Sequence, residues 1–227
     1  MVTLDAEDAL HLDRVLRMTA GGEIGVLDGS GRLAICRLAS VSKSAAKAVV
    51  ERIENPGTEP HVPVVVAQAL PKSSDKLEWV LQHGVEIGAA GFVIFRSCRS
   101  EAGKMAERPE RWAKIVKTAA EQSGRALLPR VEIASSLDAV LEGAESFDGV
   151  LFCDEVESER TVRGAVTGGC IGSVMLIVGP EGGWTEEERQ SALGRGVSPV
   201  TLGRRTLRTE TAALVALSQV LFALDAG

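Results

Sequence analysis

The hydrophobic rhythm of the chain changes partway along. Over residues 1–54 apolar and polar positions alternate in short runs, and EIGVLDGSGRLAICRLASV carries the alternation to both sides of Asp28-Gly29-Ser30-Gly31. A period of two interrupted by such a turn predicts an antiparallel hairpin. KAVVERI at 47–53 reads as a further strand, so this region is predicted as short strands and turns. NPGTEPHVP at 55–63 holds three prolines and a glycine and marks the domain boundary.

Past the boundary, continuous apolar runs alternate with helical periods. VPVVVAQAL (62–70), GFVIF (91–95), DGVLFC (148–153) and VMLIVG (174–179) are strongly apolar runs, as expected of strands covered on both faces. Between them, DKLEWVLQHGVEIG places Leu77, Val80, Leu81, Gly84 and Ile87 at helical spacing, with Ser73 or Ser74 able to cap it. PERWAKIVKTAAEQSG opens with Pro109 and stops at Gly124, a second helix, and a short one is predicted near 136–144. The polar stretch 154–173 shows no period. Strands alternating with helices predict a mostly parallel α/β sheet, in which ligands gather at the carboxyl ends of the strands.

Two stretches fall at such ends. VGPEGGWTEEE (178–188) sets glycines between a strand and a helix that Thr185 and Glu188 begin as a capping box. Glycines at 179, 182 and 183 leave main chain free to approach another molecule. The stretch LGRRTLRTETAALVAL (202–217) follows a strand VTLG and presents Arg204, Arg205 and Arg208 just before an apolar helix. Its bland reading is a solvated basic loop; its functional reading is a cationic rim over a pocket. Neither a P-loop nor a G-x-G-x-x-G follows any strand, so a Rossmann-type nucleotide enzyme is disfavoured.

Composition narrows the partners. The net charge is −6, yet residues 70–130 carry 11 Lys/Arg against 7 Asp/Glu while residues 131–201 carry 4 against 13. That asymmetry permits a basic binding face on an acidic body. The four cysteines and three histidines are scattered, which predicts buried reduced thiols and neither a metal centre nor a disulfide framework. No apolar run approaches the ~20 residues of a membrane helix, and MVTLDAEDALHL lacks the pattern of a signal peptide, so a cytoplasmic protein is expected.

The pair IVGPEGGWTEEE and LGRRTLRTETAALVAL closely resembles the signature of the RsmE family of SPOUT methyltransferases. HLDRVLRM (11–18), DKLEWVLQHGVEIGA (75–89), FRSCRS (95–100) and WAKIVKTAAEQSGR (112–125) extend the resemblance along most of the chain. It implies an α/β SPOUT domain with a C-terminal trefoil knot over residues 58–227 and a small PUA-like, RNA-binding β-barrel over residues 1–57. It further implies S-adenosyl-L-methionine as cofactor, N3 of a uridine in 16S (small-subunit) ribosomal RNA as target, and a homodimer. A non-catalytic RNA-binding or ribosome-assembly factor and a SPOUT enzyme acting on transfer RNA are the alternatives.

By the same resemblance, Ile177, Val178, Gly179, Pro180, Glu181, Gly182 and Gly183 form one wall of the cofactor pocket. Leu202, Gly203, Leu207, Arg208, Thr209, Thr211 and Ala212 form the other. Uridine N3 carries an imide proton and is a poor nucleophile until that proton leaves. Arg208 is the candidate to stabilise the developing oxygen anion, and Glu210 the candidate base or the partner that orients the arginine. As a helix N-terminal carboxylate, Glu210 also has a purely structural reading. Arg14, Arg17, Arg96, Arg99, Arg204 and Arg205 are the candidate phosphate contacts.

Overall fold

The computed structural model describes residues 1–100, 108–167 and 170–225 of the chain. It separates into two compact units, Met1–Glu59 with Gly124–Leu128, and Pro60–Ser123 with Pro129–Gly227.

In the first unit, β1 (Val2–Leu4) leads into a one-turn helix α1 (Ala6–Leu10) that runs on as a π turn over His11–Val15. Strands β2 (Glu23–Leu27), β3 (Leu33–Val41) and β4 (Ala46–Glu54) complete a sheet of order β1-β4-β3-β2, antiparallel throughout. The helical turn departs from the all-strand reading of this region. Asp5 starts it by accepting the Asp8 N–H at 2.8 Å, and it buries Ala9 and Leu12 against Cys36, Leu38, Ala46 and Ala48. Register shifts at Ile35/Cys36 and Leu38/Ser40 bend β3 and curl the sheet into a half-barrel.

The β2–β3 hairpin closes as the sequence predicts. The Asp28 carboxylate accepts both the N–H and the hydroxyl of Ser30, at 2.8 and 2.6 Å, while Gly29 and Gly31 supply positive φ angles of 75° and 98°. The stretch Gly124–Leu128 joins this unit from far along the chain. Gly31 donates to the Ala126 carbonyl and Leu128 to that of Gly29, each at 3.0 Å. Glu59 fixes the stretch by accepting the Arg125 guanidinium at 2.5 Å and the Leu127 N–H at 3.2 Å.

The second unit holds β5 (Val64–Ala69), α2 (Ser74–Ile87), β6 (Gly91–Phe95), α3 (Pro109–Gln122), β7 (Arg130–Ala134), α4 (Leu137–Ala144), β8 (Gly149–Cys153), α5 (Val162–Val166), β9 (Val174–Val178), α6 (Glu186–Gly194), β10 (Ser198–Val200) and α7 (Thr209–Asp225). Its six strands run parallel in the order β10-β8-β9-β5-β6-β7. Helices α2, α3, α5 and α7 pack one face, and α4, α6 and Trp184 the other. Central β9 feeds both: Val174, Leu176 and Val178 face the first layer, Met175 and Ile177 the second.

Four local readings change in this unit. The edge strand β7, too polar for the apolar-run criterion, and helix α5, inside the unpatterned stretch 154–173, are additions; residues 168–169 of that stretch lie outside the described residues. Strand β10 ends at Val200, so Leu202 and Gly203 belong to the following loop. Ser73 occupies the N-cap of α2, but its side chain makes no capping hydrogen bond. From edge strand β10 the chain returns to the sheet centre, where α7 packs on α2, α5, β5 and β9.

Candidate active site

Four strand ends stand level. Val200 pairs in register with Cys153, Cys153 with Val178, and Val178 with Gln68, across β10, β8, β9 and β5. Just beyond them opens a cavity of about 430 Å³. Its walls are residues 153–155, 178–184 and 201–209, with Ala212 of α7. This is the carboxyl edge of a parallel sheet, where such folds bind ligands, and the volume suits a small molecule.

Most of the predicted cofactor residues meet here. Val178 to Gly183, Leu202, Gly203, Leu207, Arg208, Thr209 and Ala212 line the cavity, as do Arg204 and Arg205. Ile177 does not; its side chain is fully buried in the opposite face of the sheet. Thr211 is exposed and also outside the lining. Glu210 turns away to Lys76, at 3.4 Å, and does not engage Arg208.

The glycines of 179–183 answer to the protein's own packing. A Cβ at Gly179 would lie 2.9 Å from the Trp184 ring, and one at Gly182 would lie 2.9 Å from the Arg99 Cβ. At Gly183 it would collide with the Glu155 carboxylate, and φ is +66°. Trp184 is fully buried, donates its indole N–H to the Cys153 carbonyl at 2.9 Å and stacks on Phe152 with centroids 4.5 Å apart. The loop is thereby pinned to the end of β8. The capping box is present, Thr185 and Glu188 exchanging bonds of 3.2 and 2.9 Å, and the other Glu188 oxygen accepts the Cys98 N–H at 2.9 Å.

Two links join the loop after β9 to the start of α7. The Thr209 hydroxyl donates to the Gly179 carbonyl at 2.5 Å and accepts from Gln68 Nε2 at 2.9 Å. Gln68 is fully buried, and its Oε1 has no hydrogen-bond partner among the described residues. The second link is Lys76 of α2, whose Nζ lies 2.8 Å from Glu181 Oε1 and 3.4 Å from Glu210 Oε2. Burial works against the charged form of Glu181, but the Lys76 ammonium and main-chain N–H groups, that of Lys72 among them, outweigh it. The carboxyl accordingly sits below the ordinary glutamate range.

The rim is cationic. Arg204, Arg205 and Arg208 are exposed, and among the described residues no hydrogen bond or ion pair occupies their guanidinium groups. Arg99 donates to the Gly182 carbonyl at 3.1 Å, and Arg96 is exposed nearby in sequence. Arg14 and Arg17 are exposed on the half-barrel, Arg17 with a φ of +51° that side chains rarely adopt. Opposite the cationic loop, Arg189 holds Asp154 at 3.0 Å and Glu155 at 3.1 Å, placing two carboxylates on the β8 wall.

Asp154, Glu155, Lys76, Gln68 and Trp184 escaped the sequence reading. Only the acidic pair carried a usable signal, two carboxylates directly after an apolar strand. Among the described residues no group of His, Cys, Asp and Glu could hold a metal ion, and no helix is long and apolar enough to cross a membrane. All four cysteines are free; Cys36 and Cys153 are buried, whereas Cys98 and Cys170 are exposed, against the expectation that all are buried.

A parallel sheet with layered helices, a C-terminal return to its centre and a cavity at its level strand ends define a SPOUT-type α/β methyltransferase domain, here preceded by a PUA-like half-barrel. Residues 58–221 match the family model of the RNA methyltransferase domain, and residues 4–51 that of the RNA methyltransferase PUA domain. The ribosomal RNA small subunit methyltransferase E of Bacillus subtilis is 38% identical over 97% of this chain and 89% of its own. That of Mycobacterium bovis is 34% identical, with 97% and 86% covered. The crystal structure of the Neisseria gonorrhoeae protein of the same name, bound to S-adenosyl methionine, superposes with a TM-score of 0.85 at 33% identity, covering 96% of this chain and 90% of that one. The chain belongs to the ribosomal RNA small subunit methyltransferase E family.

Proposed function

We propose that the protein transfers the methyl group of S-adenosyl-L-methionine to N3 of a uridine in 16S ribosomal RNA of the small subunit. The observation that carries the reading is the cavity at the level strand ends, walled by both family loops and rimmed by three arginines whose guanidinium groups have no partner among the described residues. Family relatives support the cofactor and the ribosomal target. The residues present fit the cofactor. Main chain of the two loops offers polar groups to an adenine, Asp154 and Glu155 suit ribose hydroxyls, and the arginine rim suits a carboxylate.

The cofactor supplies an electrophilic methyl group on a sulfonium. The protein's part is to make N3 nucleophilic and to hold it in line. Arg208, on the rim, stabilises the negative charge that develops on the uracil oxygens as the imide proton leaves. Glu210 is the candidate acceptor of that proton, at the start of α7 beside the cavity; in this structure its carboxylate lies at Lys76, outside the lining. The electron pair that the departing proton leaves on N3 is the nucleophile, and the bound cofactor would supply the methyl group that it takes. Val178 to Gly183, Leu202, Gly203, Leu207 to Thr209 and Ala212 hold the cofactor, Ile177 contributes main chain alone, and Thr211 supports the helix start.

Residues 1–57 dock RNA and residues 58–227 carry the chemistry. Arg14, Arg17, Arg96, Arg99, Arg204 and Arg205 supply phosphate contacts. The protein works in the cytoplasm as a homodimer, a reading supported by Trp79 of α2 and Phe222 of α7, 55% and 73% exposed on two helices that pack together.

Nucleoside mass spectrometry tests the proposal. The protein is incubated with the cofactor and small subunits lacking the modification. New 3-methyluridine supports it; none, with the cofactor bound tightly in a parallel titration, points to another RNA such as transfer RNA. No cofactor binding at all identifies a non-catalytic RNA-binding factor.

A further inference from the structure

Lys76 belongs to neither family loop, yet it touches both. It projects from the first turn of α2 to Glu181, in the loop after β9, at 2.8 Å and to Glu210, at the start of α7, at 3.4 Å. The three side chains are mostly buried, with exposures of 29% for Lys76, 17% for Glu181 and 14% for Glu210. Both Glu181 oxygens also accept the Lys72 N–H, at 3.2 and 3.1 Å. Glu181 therefore has main-chain donors of its own. Glu210 Oε2 is shielded from solvent and has no hydrogen bond among the described residues, so the Lys76 ammonium is its recorded counter-charge.

We propose that Lys76 is a positioning residue for methyl transfer: one ammonium shared by two carboxylates, which sets the geometry of Glu210 for the incoming N3 proton. The proposal rests on the reading of Glu210 as proton acceptor. Two carboxylates around one cation leave a net negative charge, the electrostatic state a proton acceptor needs. With the cation gone, the two carboxylates would repel each other, and Glu181 would lose a charge partner that helps hold its carboxyl below the ordinary glutamate range.

The surrounding charges are few. Hydrogen bonding to Glu181, with the charge of Glu181 and Glu210, raises the Lys76 pKa despite partial burial, so the ammonium persists across the working range. Helix α3 also packs on α2, but its Arg111 serves Glu78, at 2.6 Å, and the nearby Asp75. From α7 the facing group is Glu210, and from the loop after β9 it is Glu181.

The test compares Lys76→Met and Lys76→Arg with wild type. In Lys76→Met, kcat falls about 10- to 100-fold through lost positioning, while the cofactor Kd moves less than about threefold, under 1 kcal/mol. Lys76→Arg recovers most of the rate, because a second long cation can span the same two carboxylates. A second readout needs neither cofactor nor RNA. Urea midpoints of wild type, Lys76→Met, Glu210→Gln and the double variant, at neutral pH, form a cycle in which the two changes are non-additive. An additive cycle overturns the clamp itself. A non-additive cycle with unchanged kcat, or with a rate loss that does not recover with arginine, overturns its catalytic role. Should wild type methylate no RNA, the functional reading fails while the cycle still decides the clamp.

Discussion

The Thr209 hydroxyl donates to the Gly179 carbonyl at 2.5 Å, joining the first residue of α7 to the residue after β9. Its oxygen also accepts from the buried Gln68 amide, so a single side chain ties both walls of the cavity to the central strand β5. Thr209→Val keeps the shape and removes both bonds. It is expected to cost about 1–3 kcal/mol, since the Gln68 amide and the Gly179 carbonyl then lie buried without this partner. Thr209→Ser retains the hydroxyl and most of the stability. Urea melts of the three proteins, with a cofactor titration on each, give the comparison.

Gly179 and Gly203 separate two reasons for a glycine. Alanine at 179 places a Cβ 2.9 Å from the immobile Trp184 ring, and about 1–3 kcal/mol of overpacking is expected. Alanine at 203 meets nothing within 4 Å, and its penalty comes from a φ of +114°. That penalty is backbone strain of about 1–3 kcal/mol. The near-ultraviolet circular dichroism of the buried indole distinguishes them: it changes in Gly179→Ala and stays constant in Gly203→Ala.

Arg208→Ala is expected to lower kcat by about 10²–10³-fold, the loss typical of one preorganised donor to a developing oxyanion. Cofactor affinity stays nearly intact. Single-turnover kinetics beside calorimetry read the two separately, and a wild-type rate would remove Arg208 from the mechanism.

Acid should loosen the half-barrel through Glu59. Burial opposes its charge, but the Arg125 guanidinium and the Leu127 N–H together hold its carboxyl below the ordinary glutamate range. A group lowered in the folded state contributes its stability above the unfolded value, about 4.3 for glutamate, and loses it as pH falls through the folded value. Wild type is therefore expected to lose stability over that acidic window, and Glu59→Gln to lose less across it while starting lower at neutral pH. Melts between pH 3 and 7 provide the test.

The thiols should react in two groups. Burial, with the nearby Asp154 charge, pushes Cys153 up to about 12, and Cys36 is raised chiefly by burial. Exposed Cys98 is also raised, mostly by the Glu188 carboxylate that accepts its own N–H. Since the thiolate is the reactive form, Cys170 is expected to label first near neutral pH and Cys98 slowly. Cys36 and Cys153 label only on unfolding, as peptide mapping after timed alkylation would show.

Legibility followed the range of each interaction. The capping box, the Asp28 hairpin and the apolar runs of β5, β6, β8 and β9 act over a few residues, and the chain spells them out locally. Both walls of the cavity were legible because a strand end followed by glycines or arginines is also a local pattern. Lys76 was not: its partners lie 105 and 134 positions away, and a lysine in the first turn of a helix looks like surface. Residues 124–128 follow the helix stop at Gly124 and carried no reading of their own, since nothing in GRALL announces pairing with a hairpin about a hundred residues earlier. Gly179, Gly182 and Gly183 line the cavity, but a Cβ at each would also meet Trp184, Arg99 or Glu155 of the protein itself, a constraint the loop's own spelling does not announce. Edge strand β7 carries Arg130 and Glu132 among its five residues and breaks the apolar-run criterion.

The return of α7 to the sheet centre orders events in time. The cavity needs residues beyond 200, and so does the cover over β5 and β9. While the chain is being made, one face of the central strands stays bare until this last helix docks, a state prone to association with other unfinished chains. A ligand that needs both walls cannot stabilise that state, because it recognises only the completed fold and adds its binding energy there alone. Cofactor in the growth medium of a cell-free synthesis would therefore protect finished molecules without rescuing chains that stall before α7.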